Sequence, residues 1–121
     1  MNNLKILVVD DEQIVRETLR EQFELEGAVV SEAENGNIAF DLIQKNSYDL
    51  VVADVRMPEC SGVELLEKIR AYSGNAPEVI MISGFTDLTI ERARELGAKG
   101  LLMKPEAMAN LKEMILETLE D

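Results

Sequence analysis

Short apolar runs rich in β-branched residues alternate five times with longer stretches whose apolar positions recur every three or four residues. The runs Leu4-Lys5-Ile6-Leu7-Val8-Val9, Ala28-Val29-Val30-Ser31-Glu32-Ala33, Leu50-Val51-Val52-Ala53, Val79-Ile80-Met81-Ile82 and Gly100-Leu101-Leu102-Met103 have the length and composition of strands. The first, third and fourth are almost unbroken in apolar residues, the pattern of strands covered on both faces in a parallel sheet. The stretches between them predict helices over Gln13 to Glu26 (Val15, Leu19 and Phe23 on one face), Asn37 to Lys45 (Ile38, Leu42, Ile43) and Val63 to Tyr72 (Val63, Leu66, Ile69). Two more follow, Leu88 to Leu96 and Met108 to Leu119, the latter with Met108, Leu111, Ile115 and Leu119 in one stripe. Gly27 and Gly97 stop the first and fourth helices, and Gly74-Asn75-Ala76-Pro77 leads into the fourth strand. Five βα units with right-handed crossovers make an α/β three-layer sandwich around a parallel sheet.

Composition narrows the class without changing the fold. A chain of 121 residues is one domain's length, against about 100–200 residues per domain, so residues 1–121 are expected to form a single domain. With 46% hydrophobic and 30% charged residues it belongs with folded chains rather than disordered ones. Acidic residues number 24 against 12 basic, a net charge of -12 that disfavours gripping nucleic acid through its phosphates. A lone Cys60 makes no internal disulfide, no apolar leader opens the chain, and no apolar run approaches the ~18 residues of a membrane span. A cytoplasmic protein is therefore expected. The absence of His excludes a Ser-His-Asp triad and, with one Cys, a zinc site of the usual donors.

In an open parallel sheet the binding crevice lies outside the carboxyl ends of the strands. Those ends carry Asp10-Asp11, Asp54, Ser83-Gly84 and Lys104-Pro105. Each has an ordinary reading: Asp10 or Asp11 as a cap of the first helix, Ser83-Gly84 as a turn, Lys104 as a solvated lysine. Asp54, however, ends an apolar strand, where a carboxylate needs a partner or a metal. Several carboxylates with one lysine at the same edge suggest a hard divalent cation, and Mg²⁺ commonly takes one or two carboxylates with water and a substrate phosphate. Met57-Pro58 and Gly62 are expected to act on the backbone and Cys60 to be incidental. Glu91, Arg92, Arg94 and Glu95 read as a solvated face, and Glu12, Glu17 and Glu21 with Arg16 and Arg20 as helix-local ion pairs worth about 0.2–0.5 kcal/mol each.

Taken together these residues resemble the receiver domain of two-component response regulators, over essentially the whole chain. The resemblance rests on Asp10-Asp11, on Asp54-Val55-Arg56-Met57-Pro58 followed by Gly62, on Ser83-Gly84, and on Gly97-Ala98 leading to Lys104-Pro105. It implies a flavodoxin-like (βα)5 fold with strand order 2-1-3-4-5, and a phosphoryl group moved from a sensor histidine kinase or phosphotransfer protein to Asp54. By the same resemblance Asp10, Asp11, Asp54 and the backbone carbonyl of Arg56 hold Mg²⁺, or Mn²⁺ in its place, with Asp11 a direct ligand and Asp10 acting largely through water. Lys104 would pair with Asp54 before transfer and with a phosphoryl oxygen after it, aimed by a cis Lys104–Pro105 bond, and Ser83 would donate to another oxygen. The implied protein is a signalling switch rather than a turnover enzyme, catalysing only its own phosphorylation and dephosphorylation. Its output would go to a downstream protein or to an output domain outside this segment, since none follows the last predicted helix. The face of the fourth helix, fifth strand and fifth helix is the implied place for partners or a homodimer, with no direct nucleic-acid binding and no membrane contact by this segment.

One position departs from the family pattern. Most receivers carry Tyr or Phe three residues before the lysine, whereas this chain has Leu101, which has no ring to rotate. Phosphorylation is then expected to draw in Ser83 and shift the loop from Gly84 to Asp87, with Phe85 rearranging; identical amide spectra with and without a phosphoryl analogue would rule this out. Arg56 and Phe85 stand where the family tunes phosphoryl lifetime and are expected to slow hydrolysis, an idea that unchanged lifetimes in Arg56→Asn and Phe85→Ala would remove. Three alternatives stand beside the receiver reading. A haloacid dehalogenase-type phosphohydrolase needs Asp-x-Asp where Asp54-Val55-Arg56 stands, and a flavodoxin would meet Asp10, Asp11 and Glu12 where its phosphate needs amides and hydroxyls. A degenerate receiver acting as a constitutive binding module gains from Leu101 and loses from the retained Asp10, Asp11, Asp54, Ser83 and Lys104.

Overall fold

The computed structural model describes residues 3–57, 59–72, 74, 76–84, 88–103, 113 and 115–117. Strands β1 (Lys5–Val9), β2 (Val29–Ala33), β3 (Leu50–Asp54), β4 (Glu78–Ser83) and β5 (Gly100–Met103) alternate with helices α1 (Gln13–Leu25), α2 (Gly36–Lys45), α3 (Gly62–Ala71) and α4 (Ile90–Glu95). Residues 113 and 115–117 are helical and belong to the fifth predicted helix, most of which lies outside the described residues. All pairings are parallel, in the order β2-β1-β3-β4-β5, so the chain leaves β1 toward β2 on one side and β3 toward β4 on the other, which makes the β1–β3 seam the switch point. This is the order that the receiver resemblance implied.

The two-residue period of a strand divides the core. Leu7, Val9, Val51, Ala53, Val79, Met81 and Leu101 face one side, where Ala39 and Ile43 of α2, Leu65, Leu66 and Ile69 of α3, and Ala93 of α4 cover them. Ile6, Val8, Leu50, Val52, Ile80 and Ile82 face the other, under Leu19 and Phe23 of α1 and Ile115. Strands β1, β3 and β4 are therefore buried on both faces, as their unbroken apolar runs require.

The helix boundaries follow their caps. Ser61 opens α3 with a reciprocal capping box: its hydroxyl accepts from the Glu64 amide at 3.1 Å while the Glu64 carboxylate accepts from the Ser61 amide at 3.2 Å. Thr89 caps α4 by accepting from the Arg92 amide at 3.0 Å, which starts that helix at Ile90 rather than at the predicted Leu88. Gly27 (φ 94°) and Gly97 (φ 109°) adopt the left-handed conformation after α1 and α4, the role expected of a stopping glycine.

Candidate functional site

At the carboxyl edge of the sheet the register assembles the site. Val9 pairs with Ala53, so Asp10, the next residue after β1, comes beside Asp54, the last residue of β3. Asp54 in turn pairs with Ile82, and Ser83, which ends β4, pairs with Met103 at the end of β5. Both Asp54 and Ser83 thus lie within the strands, one residue further along than the apolar runs indicated. Among the described residues the buried polar or charged side chains are Asp10, Asn35, Asp54 and Ser83, and three of these four sit at this edge. Ser83 is 1% exposed, so its reading as an ordinary turn residue is set aside. Lys104 follows Met103 directly, but Lys104, Pro105, Phe85 and the other residues of 85–87, and Pro58 lie outside the described residues, and with them the expected cis bond and Phe85 movement.

Asp10 is held on several sides. Its amide donates to the Ala33 carbonyl at 3.1 Å, its Oδ1 accepts from the Glu12 amide at 2.9 Å, and its carbonyl accepts from Arg16 at 2.7 Å. The N-cap of α1 is Glu12, whose side chain makes no cap bond, so neither aspartate is the helix cap. Carboxylate oxygens of Asp10, Asp11 and Glu12 lie within 4.8 Å of one another, with Asp11 and Glu12 exposed. An all-oxygen set of this kind suits Mg²⁺ and lacks the nitrogen and sulfur donors that favour softer ions. Glu12 joins the two aspartates in this acidic cluster, although the resemblance did not name it among the metal ligands.

The loop after β3, which carries Arg56, is anchored at both ends. The Val55 amide donates to the Ile82 carbonyl at 2.9 Å, and the Gly62 amide donates to the Val55 carbonyl at 3.0 Å. A Cβ on Gly62 would lie 2.1 Å from the Asp54 carbonyl oxygen, so only glycine lets α3 begin this close to the end of β3. Asn35 caps α2 by accepting from the Ile38 amide at 2.9 Å and donates to Glu59 at 3.1 Å, a residue held at φ 67°. Sequence reasoning missed Asn35 and Glu59, although Asn before the first residues of a helix is itself a capping signal. Arg56 is exposed at this loop.

Two expectations change. Cys60 is not incidental: it is 2% exposed, its carbonyl accepts from the Gly36 amide at 3.2 Å, and its side chain fills the space that a Cβ on Gly36 would need. Burial pushes its thiol pKa above the ordinary value, which favours the protonated form. Arg16 and Arg20 reach across to Glu32 of β2, Arg16 at 3.3 Å, and only Arg20 also meets a glutamate of its own helix, Glu24 at 3.7 Å. Arg92 and Glu95 of α4 do pair at 3.1 Å, both largely exposed, in keeping with a solvated face. Leu101, finally, is buried with Met81, Ala93 and Ala98.

A doubly covered parallel sheet in the order β2-β1-β3-β4-β5, with Asp10, Asp54 and Ser83 buried at its carboxyl edge, is the arrangement that the receiver resemblance implied. The chain belongs to the response regulator receiver domain family, whose sequence pattern it matches over residues 6–116. It is 34% identical over 120 residues to sporulation initiation phosphotransferase F of Bacillus subtilis, covering 98% of this chain and 96% of that protein. It is also 37% identical to the protein-glutamate methylesterase/protein-glutamine glutaminase of Desulfotalea psychrophila, of which it spans only 36%. Among solved structures, the response regulator TrrA of Thermotoga maritima, in complex with Mg²⁺-BeF, superposes with a TM-score of 0.85 at 32% identity, covering 96% of this chain and 99% of that one. A CheY-like receiver of Methanospirillum hungatei gives 0.86 at 28%, covering 98% and 95%. The flavodoxin and phosphohydrolase alternatives fall with this membership. No described helix is long and apolar enough to cross a membrane.

Proposed function

We propose that Asp54 is the phosphoacceptor of this receiver and that Asp10, Asp11 and the Arg56 carbonyl join it in holding Mg²⁺. The observation that carries this reading is the buried Asp54 carboxylate at the end of the central strand β3, next in register to the buried Asp10. A carboxylate oxygen of Asp54 attacks the phosphorus of a phosphohistidine, the O–P bond forms as the N–P bond breaks, and the imidazole leaves with the electron pair. Bound at this edge, Mg²⁺ supplies positive charge against the anionic oxygens that meet there; Mn²⁺ has the same preference for oxygen donors. In this reading Ser83 donates to a phosphoryl oxygen, and Lys104, the residue after β5 in the sequence, pairs with another. The donor is a sensor histidine kinase or a phosphotransfer protein, and the output passes to a downstream protein or a further domain. Catalysis is confined to the chain's own phosphorylation and dephosphorylation.

Transfer from a radiolabelled phosphohistidine domain tests the reading. Label is expected to move to the wild type with Mg²⁺ and to stay on the donor when Mg²⁺ is chelated. Label that never moves from any of several histidine donors would favour the constitutive binding module, the reading to which the buried Leu101 lends weight.

A further inference from the structure

The guanidinium of Arg16 lies between the acidic loop and the edge strand β2. One nitrogen donates to the Asp10 carbonyl at 2.7 Å, and Nε meets Glu32 at 3.3 Å. Arg20 approaches the same Glu32 carboxylate through its other oxygen, so that carboxylate is fixed by two arginines. The Arg16 side chain is only 14% exposed, and a forked, planar cation can hold two acceptors in fixed directions where a lysine cannot. The sequence reading left Arg16 and Glu32 without a role in the site.

We propose that Arg16, braced by Glu32, is a positioning residue for the metal site, fixing the Asp10 backbone so that its carboxylate stays beside those of Asp11 and Glu12. The inference rests on the reading of Asp10 and Asp11 as metal ligands. It has a sign that separates it from simple electrostatics. A cation beside an acidic cluster repels Mg²⁺, so by charge alone its removal tightens metal binding. As a strut its removal loosens it, because the groups that orient metal ligands commonly contribute about 10–100-fold in affinity.

Mg²⁺ titration followed by amide spectra of the isotope-labelled full chain tests the proposal. Arg16→Gln is expected to weaken Mg²⁺ binding about 10-fold, and Arg16→Gln with Glu32→Gln, which leaves the net charge unchanged, to weaken it comparably. Arg16→Lys, which keeps the charge without the fork, is expected to fall between Arg16→Gln and the wild type. In the metal-free protein the Glu12 amide, bonded to Asp10 Oδ1, is expected to exchange faster with solvent in Arg16→Gln. Unchanged or tighter Mg²⁺ binding in both glutamine variants overturns the strut, as does an unaltered Glu12 exchange rate. Asp11→Asn separates the two levels of the argument: retained Mg²⁺ affinity in that variant overturns the metal-site reading itself, and the strut with it.

Discussion

A methyl group on Gly62 would lie 2.1 Å from the Asp54 carbonyl oxygen and 2.7 Å from the Met81 methyl, whereas one on Gly84 would meet none of the described residues within 4 Å. Two glycines that look alike in the sequence therefore carry different loads. Gly62→Ala is expected to destabilise the fold by about 1–3 kcal/mol, because the start of α3 must retreat from the end of β3. Gly84→Ala is expected to change stability by less than about 0.5 kcal/mol. Urea unfolding of both variants checks the contrast, and equal midpoints would contradict it. At this scale the chemistry-bearing residues were legible from their types and positions, since Asp54 after an apolar run needs a reason. The space they occupy was not: the burial of Cys60 against Gly36 depends on how the loop after β3 meets the start of α2, which no local pattern encodes.

Elements were read well where periodicity was strong and less well where a cap or a cross-element contact decided. Strands β1, β3 and β4 follow from unbroken apolar runs, yet β3 and β4 extend through Asp54 and Ser83 because parallel pairing continues past the last apolar residue. The arginines of α1 were read against their own helix because spacings of three and four are visible in a sequence, while the approach of β2 is not. Leu101 shows what an element-scale contact implies for the switch. In β5, opposite Met81, it is packed into the layer that α4 covers, where most receivers place an aromatic residue able to rotate. Leu101→Ala is expected to cost about 2–5 kcal/mol, the range for truncating a buried leucine. A loss below about 1 kcal/mol in denaturant unfolding would contradict that packing.

For the whole molecule the dominant fact is a net charge of -12, with carboxylates gathered at one edge of the sheet. Carboxylates this close repel one another, and a cation held among them would relieve that repulsion. A ligand that binds only the folded state stabilises it by about 2.7 kcal/mol at a hundredfold excess over Kd. Mg²⁺ is therefore expected to raise the melting temperature by several degrees beyond a control of matched ionic strength, and Asp11→Asn to lose that increment. An equal rise in both proteins would mean that general screening accounts for the effect. The fold class and strand order could be stated from the sequence because the alternation of elements and the family pattern agree. The contacts of Arg16 with Glu32 and of Asn35 with Glu59 could not, because those pairs join residues distant in the chain.

The central claim is that Asp54 accepts a phosphoryl group in a Mg²⁺-dependent reaction. Incubation with acetyl phosphate, read as intact mass for the wild type and for Asp54→Ala, tests it without any partner protein. The account predicts the mass of one phosphoryl group on the wild type with Mg²⁺, and none without Mg²⁺ or in Asp54→Ala. Equal labelling of Asp54→Ala, or no labelling of a wild type that binds Mg²⁺, would contradict it.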